Sequence, residues 1–420
     1  MHVVIIGNGI GGNAVAEGIR VYDRENKITI VTAENCPEYD PGSLPYYIGG
    51  NVPRDTVFLK KMEDYRKDGI ELCVGKAVKV DAGAKKVFLE DGREVTYDKL
   101  VLATGGNQII PPIKGVDKKG VFCCKVLSDA DALANHEGSS AVVIGSGLIG
   151  IEACEALKKK GYEVTLIELM GWIMPRVFDE YTAGLLAESL VENGINVLTG
   201  EKLVSIDGNG RVEGVTTDKR TIKCDTVVLA TGVVPANTMA KEAGAEIGPT
   251  RGIKVNERLL TTIDDVYACG DCAESFDAVT GEPALYQLRH NALEQGAVIA
   301  RDCVGLPAVY RGAWSFTRAH YFHTHAVSIG KTLASLKDQA GVELIERKIG
   351  GDYYRLIIKD GRLAGAQAIG RFADKMGILL GAIWRQDDLS KIRSNWQAVS
   401  SIISPYPWYY RVIGRYMQLS

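Results

Sequence analysis

Glycines at two places in this chain stand at the spacing that lets backbone close on a phosphate. Gly7, Gly9 and Gly12 lie in HVVIIGNGIGGNAVAEGIR, which begins at His2; Gly145, Gly147 and Gly150 lie in AVVIGSGLIGIEACEALKKKG, which begins at Ala141. Each segment reads as a buried strand, a tight turn and a helix. In a G-x-G-x-x-G turn the first glycine permits the turn, the second lets the backbone approach a pyrophosphate, and the third lets helix and strand pack closely. The N–H groups of the helix start then face the phosphates. One such turn is a weak signal. Two, each in the same strand–turn–helix setting, imply two dinucleotides on one polypeptide and hence electron transfer between two redox cofactors.

An acid about 20 residues beyond the fingerprint is expected to bind a ribose hydroxyl. In the second unit EVTLIE ends on Glu168, 18 residues past Gly150. A carboxylate there accepts from the 2′- and 3′-hydroxyls and repels a 2′-phosphate, which favours NADH over NADPH. In the first unit the candidate is Glu34, 22 residues past Gly12, although the strand-end position itself falls on Thr32. The bland readings are a glycine turn that holds no ligand and an exposed strand-end acid.

The elements that must position these residues follow from the pattern. KITIVT (27–32) reads as a strand, as do the segment 72–80 and VFLEDGREV, with a hairpin at Asp91-Gly92. KLVLATGG (99–106) reads as a buried strand ending in glycines, and IIPPIKG as an extended connector. A second unit opens after about Gly115. It holds the second fingerprint, a helix near 180–193, the strand INVLTG, a hairpin at Asp207-Gly208-Asn209-Gly210, and DTVVLATGVVP over 225–235. Both units thus begin on a fingerprint and end on ATG. Strand and turn resume at IKVNERLLTTIDDVYACGDCAE, and LYQLRHNALEQGAVIARDCVG reads as a long helix with small residues on one face. YYRLIIKDGRLAGAQAIG is a hairpin around Lys359-Asp360-Gly361, and DKMGILLGAIWRQ is helical.

The chain has 420 residues, enough for two or three domains. Its net charge of −3 argues against a nucleic-acid surface. No apolar run reaches the ~18 residues of a membrane span. MHVVIIG reads as the first strand and not as a leader. The nine cysteines are odd in number and scattered through apolar segments, the pattern of reduced core thiols, and cytoplasmic residence is expected.

YACGDCAE (267–274) resembles the flavin-binding signature of the FAD-dependent pyridine nucleotide–disulfide oxidoreductase superfamily, and ATG at 103–105 and 230–232 matches its two other markers. The resemblance covers residues 1–380 in the correct order. It implies an α/β fold of two Rossmann-like dinucleotide-binding domains plus a small α+β C-terminal domain. FAD would occupy residues 1–112 with 250–313, NAD residues 113–249, and the interface domain residues 314–420. It further implies FAD on the first fingerprint and NAD(P)H on the second. Asp271 would bond the ribityl chain, and Gly270 would let backbone approach the flavin pyrophosphate. Thr104 and Gly105 fall in the FAD-side marker, and Gly232 in the NAD-side one. Val78 falls where the family contacts adenine through main chain. Glu152 falls where many members place an acid near the flavin–nicotinamide junction; by itself it reads equally as a helix-face acid.

One departure bears on function. CPEYDPGSLPYYIGG (36–50) is similar to the segment of coenzyme A disulfide reductases and NADH oxidases that carries a redox cysteine just before x-L-P-Y. Gly42 stands there, followed by Ser43. Disulfide and peroxide chemistry needs a thiolate beside the flavin, and neither residue supplies one. Cys36 is six residues away and reads as a packing cysteine. Cys269-Gly-Asp-Cys272 has thioredoxin-like spacing, but its backbone is committed to the flavin motif. Adjacent Cys123 and Cys124 read as free thiols. In HYFHTH, His323 and His325 would share one face of a strand, with no cysteine or carboxylate to complete a metal site. The tail supplies Trp396, Tyr406, Trp408, Tyr409, Tyr410 and Tyr416 with Arg393, Arg411 and Arg415, suited to docking a partner or to packing on the body or on a second copy in a homodimer.

The expected reaction is hydride transfer from NADH to FAD, then electron transfer to a small iron–sulfur carrier of the ferredoxin or rubredoxin kind, in either direction. The segment DPGSLPYYIGG and the C-terminal hairpin unit are similar to those of rubredoxin, ferredoxin and nitrite-reductase-type flavoproteins. The alternatives are an NADH oxidase or reductase of a small molecule (coenzyme A disulfide or persulfide, or a quinone), and a flavin electron-input subunit of a larger redox complex.

Overall fold

The strand His2–Ile6 is largely apolar because it has a parallel neighbour on each side, helices over the face of Val3 and Ile5, and the antiparallel strands carrying Val80, Val87 and Leu89 over the face of Val4 and Ile6; Val3, Val4 and Ile5 are fully buried. It is the centre of a five-stranded parallel sheet. The order is Val266–Ala268, Lys99–Leu102, His2–Ile6, Lys27–Thr32, Ile70–Val74. A second parallel sheet repeats the plan in the order Ile195–Thr199, Glu163–Glu168, Ser140–Ile144, Thr226–Leu229, Val121–Phe122. A three-stranded antiparallel meander accompanies each: Ala77–Asp81, Lys86–Leu89 and Glu94–Thr96 beside the first, Leu203–Asp207, Gly214–Thr217 and Thr221–Lys223 beside the second. The repeat read from fingerprint and ATG thus extends through two similar α/β units. Their FAD- and NAD-type architecture is the expected one. The computed structural model describes residues 1–336 and 339–389; the aromatic tail, with Trp396, Tyr406, Trp408, Tyr409, Tyr410, Tyr416, Arg393, Arg411 and Arg415, lies outside them.

The chain returns to the first unit through the helix Arg289–Cys303, which packs on the first helix, Ile10–Tyr22. Small residues make this contact close. A Cβ on Gly18 would stand 2.6 Å from that of Ala300, and one on Gly296 2.5 Å from that of Ala14. The stripe of small residues in LYQLRHNALEQGAVIARDCVG is therefore a helix–helix seam. The helix begins at Arg289, later than the pattern indicated, and leaves Leu285–Leu288 as a loop facing Asp271.

The third unit is a five-stranded antiparallel sheet in the order Phe316–Tyr321, Thr324–Gly330, Arg362–Ile369, Asp352–Lys359, Val342–Ile349. Asp360 (φ 50°) and Gly361 (φ 73°) form one of its two-residue turns, as the hairpin signal requires. DKMGILLGAIWRQ divides into a 3-10 segment, Gly370–Ile378, and a helix, Leu379–Arg385. HYFHTH is not one strand. It is a hairpin in which His320 pairs with His325 and His323 lies in the turn, so His323 and His325 do not share a strand face. Phe322 supplies the left-handed turn conformation (φ 51°) without a glycine to announce it. Among the described residues no group of histidines, cysteines and acids could hold a metal, and no helix is long and apolar enough to cross a membrane.

Candidate functional site

The three glycines of each fingerprint are glycine for different reasons. Gly7 (φ 121°) and Gly145 (φ 99°) have backbone that L side chains rarely adopt, and a Cβ on either would strike the carbonyl of Ala103 or Ala230. A Cβ on Gly12 or Gly150 would strike the carbonyl of Gly7 or Gly145. Gly9 (φ −85°) and Gly147 (φ −65°) are ordinary extended residues, and a Cβ on either would meet nothing within 4 Å. Nothing inside the protein forbids a side chain there. Each is the N-cap of its helix and offers no side-chain cap, so first-turn N–H groups face open space. A bare cap and a missing Cβ are what a pyrophosphate at each helix start would require.

Glu168 closes the second strand beside this loop. Its Oε2 accepts from Ser146 N (2.9 Å) and Ser146 Oγ (2.5 Å), and its Oε1 from Met170 N (2.8 Å). The carboxylate thus fixes the glycine loop to the strand end, and Oε1 retains acceptor capacity. In the first unit the strand ends at Thr32, and Glu34 lies beyond it. The Tyr39 hydroxyl donates to Glu34 Oε2 (3.0 Å) and accepts from Leu127 N (3.2 Å). Val78 is the bulged residue of its strand: Ala77 pairs with Leu89 and Lys79 with Phe88, which leaves Val78 without a cross-strand partner and its side chain exposed.

The two ATG markers meet. Gly106–Gln108 pairs antiparallel with Val233–Pro235. Thr104 Oγ1 donates to the Ala236 carbonyl (2.7 Å), and Thr231 Oγ1 donates to the Ile109 carbonyl (2.5 Å). Each threonine therefore braces the other unit's exit strand. Gly105 (φ 68°) accepts from Ala236 N, and Gly232 (φ 99°) from Ile109 N. This reciprocal brace is what holds the two fingerprints in register, and sequence reading missed it.

Gly270 (φ 73°) turns the chain at the 3-10 segment Gly270–Cys272, and its N–H donates to Gln295 Oε1 (2.7 Å). Asp271 follows with no hydrogen-bond partner for its carboxyl among the described residues; burial raises it above the usual aspartate range, with Lys125 opposing. Gln287 Nε2 donates to the Asp271 carbonyl (3.2 Å). A recessed carboxyl without a partner fits a hydroxylated ligand chain.

Segment 40–43 approaches this region from the other side. Asp40 accepts from Gly42 N (3.2 Å), Ser43 Oγ (3.2 Å) and Arg289 Nη1 (2.6 Å). Arg289 and Gln287, missed by sequence reading, join the site because the loop before the long helix folds back onto it. Glu152 stands on the second fingerprint helix, Leu148–Lys159, and is pushed up to about 7 by burial first, then by the charges of Glu155 and Asp40. All nine cysteines are free. The Cys36 thiol is pushed up to about 11 by burial and by Glu34. Cys269 and Cys272 are fully buried and raised by that burial. Burial therefore disfavours the thiolate of Cys36, Cys269 and Cys272.

The raised Glu152 carboxyl makes a stability prediction. Its ordinary value is 4.5. Between there and about 7 the folded chain binds a proton that the unfolded chain has released, so stability falls as pH rises through that window. Glu152→Gln removes this dependence. The variant is expected to gain about 2 kcal/mol over the natural chain on going from pH 5 to pH 8, below the full ~3 because the carboxyl is partly exposed. Paired urea midpoints at the two pH values measure it; parallel midpoints would show that Glu152 is not raised.

Comparison with known proteins agrees with this geometry. The sequence profile of the family described as pyridine nucleotide-disulphide oxidoreductase matches residues 1–296. The chain is 31% identical over 418 residues to an NADH oxidase of Methanocaldococcus jannaschii, covering 92% of each chain. It is 30% identical over 401 residues to the NADH-dependent phenylglyoxylate dehydrogenase subunit epsilon of Aromatoleum evansii, covering 94% of each. A solved NAD-dependent persulfide reductase from A. fulgidus superposes with a TM-score of 0.88 at 30% identity, over 94% of this chain and 79% of that one. With two glycine-rich strand–turn–helix loops, the ATG brace and the recessed Asp271 on one scaffold, the chain belongs to the pyridine nucleotide-disulphide oxidoreductase family and is an oxidoreductase working with FAD and NAD(H).

Proposed function

We propose that the chain takes electrons from NADH through FAD and delivers them directly to a one-electron iron–sulfur carrier of the ferredoxin or rubredoxin kind. The observation that carries this reading is Gly42: this residue of segment 40–43, whose Asp40 faces Arg289 and Glu152, has no sulfur, and burial and Glu34 disfavour the thiolate of Cys36, the nearest cysteine in sequence. Bound flavin would supply the conversion of a two-electron hydride into single electrons.

The residues have distinct tasks in this reading. The first cradle (Gly7, Gly9, Gly12) holds the FAD pyrophosphate, with Gly270 admitting backbone beside it and Glu34 on the adenosine ribose. The Val78 backbone meets adenine, Asp271 holds the ribityl hydroxyls, and Thr104 and Gly105 line the exit strand. The second cradle (Gly145, Gly147, Gly150) holds NADH, with Glu168 on its ribose and Gly232 beside the nicotinamide half. Glu152 holds a proton at the junction. We take residues 1–112 with 250–313 as the FAD unit, 113–249 as the NAD unit and 314–420 as an interface unit. Exposed Leu344 and Ile349 on the edge strand Val342–Ile349 suit that unit to a homodimer contact. Nine unpaired thiols suit a reducing cytoplasm.

The test is NADH oxidation by the purified holoprotein with ferredoxin, rubredoxin, oxygen, a quinone and coenzyme A disulfide supplied separately. Reduction of an iron–sulfur carrier at least tenfold faster than any small acceptor is expected. Efficient reduction of coenzyme A disulfide overturns the reading. A second reading, electron input to a larger complex, draws on the subunit relative from Aromatoleum evansii; it predicts that an iron–sulfur partner co-purifies with this chain from its own cells.

A further inference from the structure

A narrow cleft opens beside Glu152. Tyr46 and Asn51 form one wall, and Glu152, Glu155 and Lys159 of the second fingerprint helix form the other, with His320 of the third unit at its end. Its volume is about 10 Å³, close to that of a single water-sized sphere. Glu155 is engaged by Lys159 (2.7 Å). Among the described residues the side chains of Glu152 and His320 make no hydrogen bond. The His320 ring lies 4.3 Å from that of its cross-strand partner His325, and His325 Nδ1 lies 3.4 Å from the exposed Asp374 carboxylate. Titratable groups therefore run from the half-buried Glu152 to the surface.

We propose that this run is a proton exit: Glu152 takes up the proton left when electrons depart singly, and His320, as a positioning residue acting through Glu152, passes it through the cleft to solvent. The inference rests on the one-electron-carrier reading, because the balance demands an exit only there. One NADH and two oxidised carriers give NAD⁺, two reduced carriers and one proton. A hydride brings two electrons and a proton, and an iron–sulfur carrier accepts only the electrons. A disulfide or oxygen would consume the proton with them.

The surroundings suit both ends. Glu152 faces Glu155 on its own helix, Asp40 from the preceding loop, Tyr46 from the helix Leu44–Ile48, Tyr321 from the third sheet and the Cys124 thiol. None of these brings a positive charge to hold the carboxylate ionised, so it binds and releases a proton near neutrality. His320 faces His325, Arg318 and Lys159, which with burial hold its imidazole below the usual range, and Glu155, which opposes them. A proton reaching His320 is thereby released readily to water.

The experiment reoxidises NADH-reduced holoprotein with ferricyanide, an artificial one-electron acceptor, and follows proton release with a pH-indicator dye in a stopped-flow instrument. His320→Ala is expected to slow release at least tenfold, and added imidazole to restore it. Retained FAD content and circular dichroism establish that the variant is folded, and His323→Ala, in the hairpin turn, is expected to release protons at the natural rate. Unchanged release in His320→Ala, or slowed release that imidazole does not restore, overturns the relay. Ferricyanide keeps this test separate from the carrier assay: failure to reduce ferredoxin or rubredoxin overturns the carrier reading and leaves the ferricyanide result to be read on its own terms.

Discussion

Gly147→Val is expected to leave the protein folded and yellow while raising the KM for NADH at least a hundredfold. The argument turns on why this position is glycine. Its backbone is extended (φ −65°, ψ 178°), which suits valine, and a Cβ there touches nothing within 4 Å. The fold therefore loses little. The open space that receives the side chain is the space over the bare N-terminus of the helix Leu148–Lys159, where first-turn N–H groups would meet the NADH pyrophosphate. Excluding that contact at a cost of about 3 kcal/mol corresponds to the hundredfold loss. Gly150→Ala, only three residues on, is expected to behave oppositely: its Cβ would strike the Gly145 carbonyl, so the second unit fails to fold. FAD-binding stoichiometry together with NADH titration of the bleaching rate separates the two. A Gly147→Val protein with normal KM would mean that no phosphate sits on this helix.

Much of this site was legible because it is local. A glycine turn between strand and helix is written in six consecutive residues, and its backbone demands leave few substitutes. The same holds for Gly270, whose positive φ is built into a short turn, and for Asp360-Gly361. What was not legible depends on partners far along the chain. Thr104 bonds across 132 residues and Thr231 across 122, so the brace that orients the two units has no local signature. Arg289 reaches Asp40 across 249 residues. Glu34 sits where an acid was expected by counting, two residues past the strand end at Thr32; what counting could not reveal is that Tyr39 shares its carboxylate. The histidine hairpin was hidden for a different reason: Phe322 adopts a left-handed conformation that its residue type disfavours.

Gly42→Cys is expected to create a disulfide reductase. Gly42 needs no glycine conformation, and a Cβ there would meet Asp40 Oδ1 at 3.5 Å, an ordinary contact. A cysteine is therefore accommodated without moving the segment that faces Arg289 and Glu152. Its thiolate can attack a disulfide sulfur, releasing one thiolate and leaving a mixed disulfide; two electrons entering from NADH then cleave that bond and release the second. The neighbouring Asp40 carboxylate opposes ionisation of the new thiol, so activity should rise from pH 7 toward pH 9. NADH-dependent liberation of free thiol from coenzyme A disulfide is expected to exceed that of the natural chain by at least a hundredfold. Gly42→Ser is expected to add nothing, because a hydroxyl is far too weakly acidic to attack. A natural chain that already matches the cysteine variant would mean that a thiol elsewhere performs this step, and the direct route from flavin to carrier would have to be abandoned.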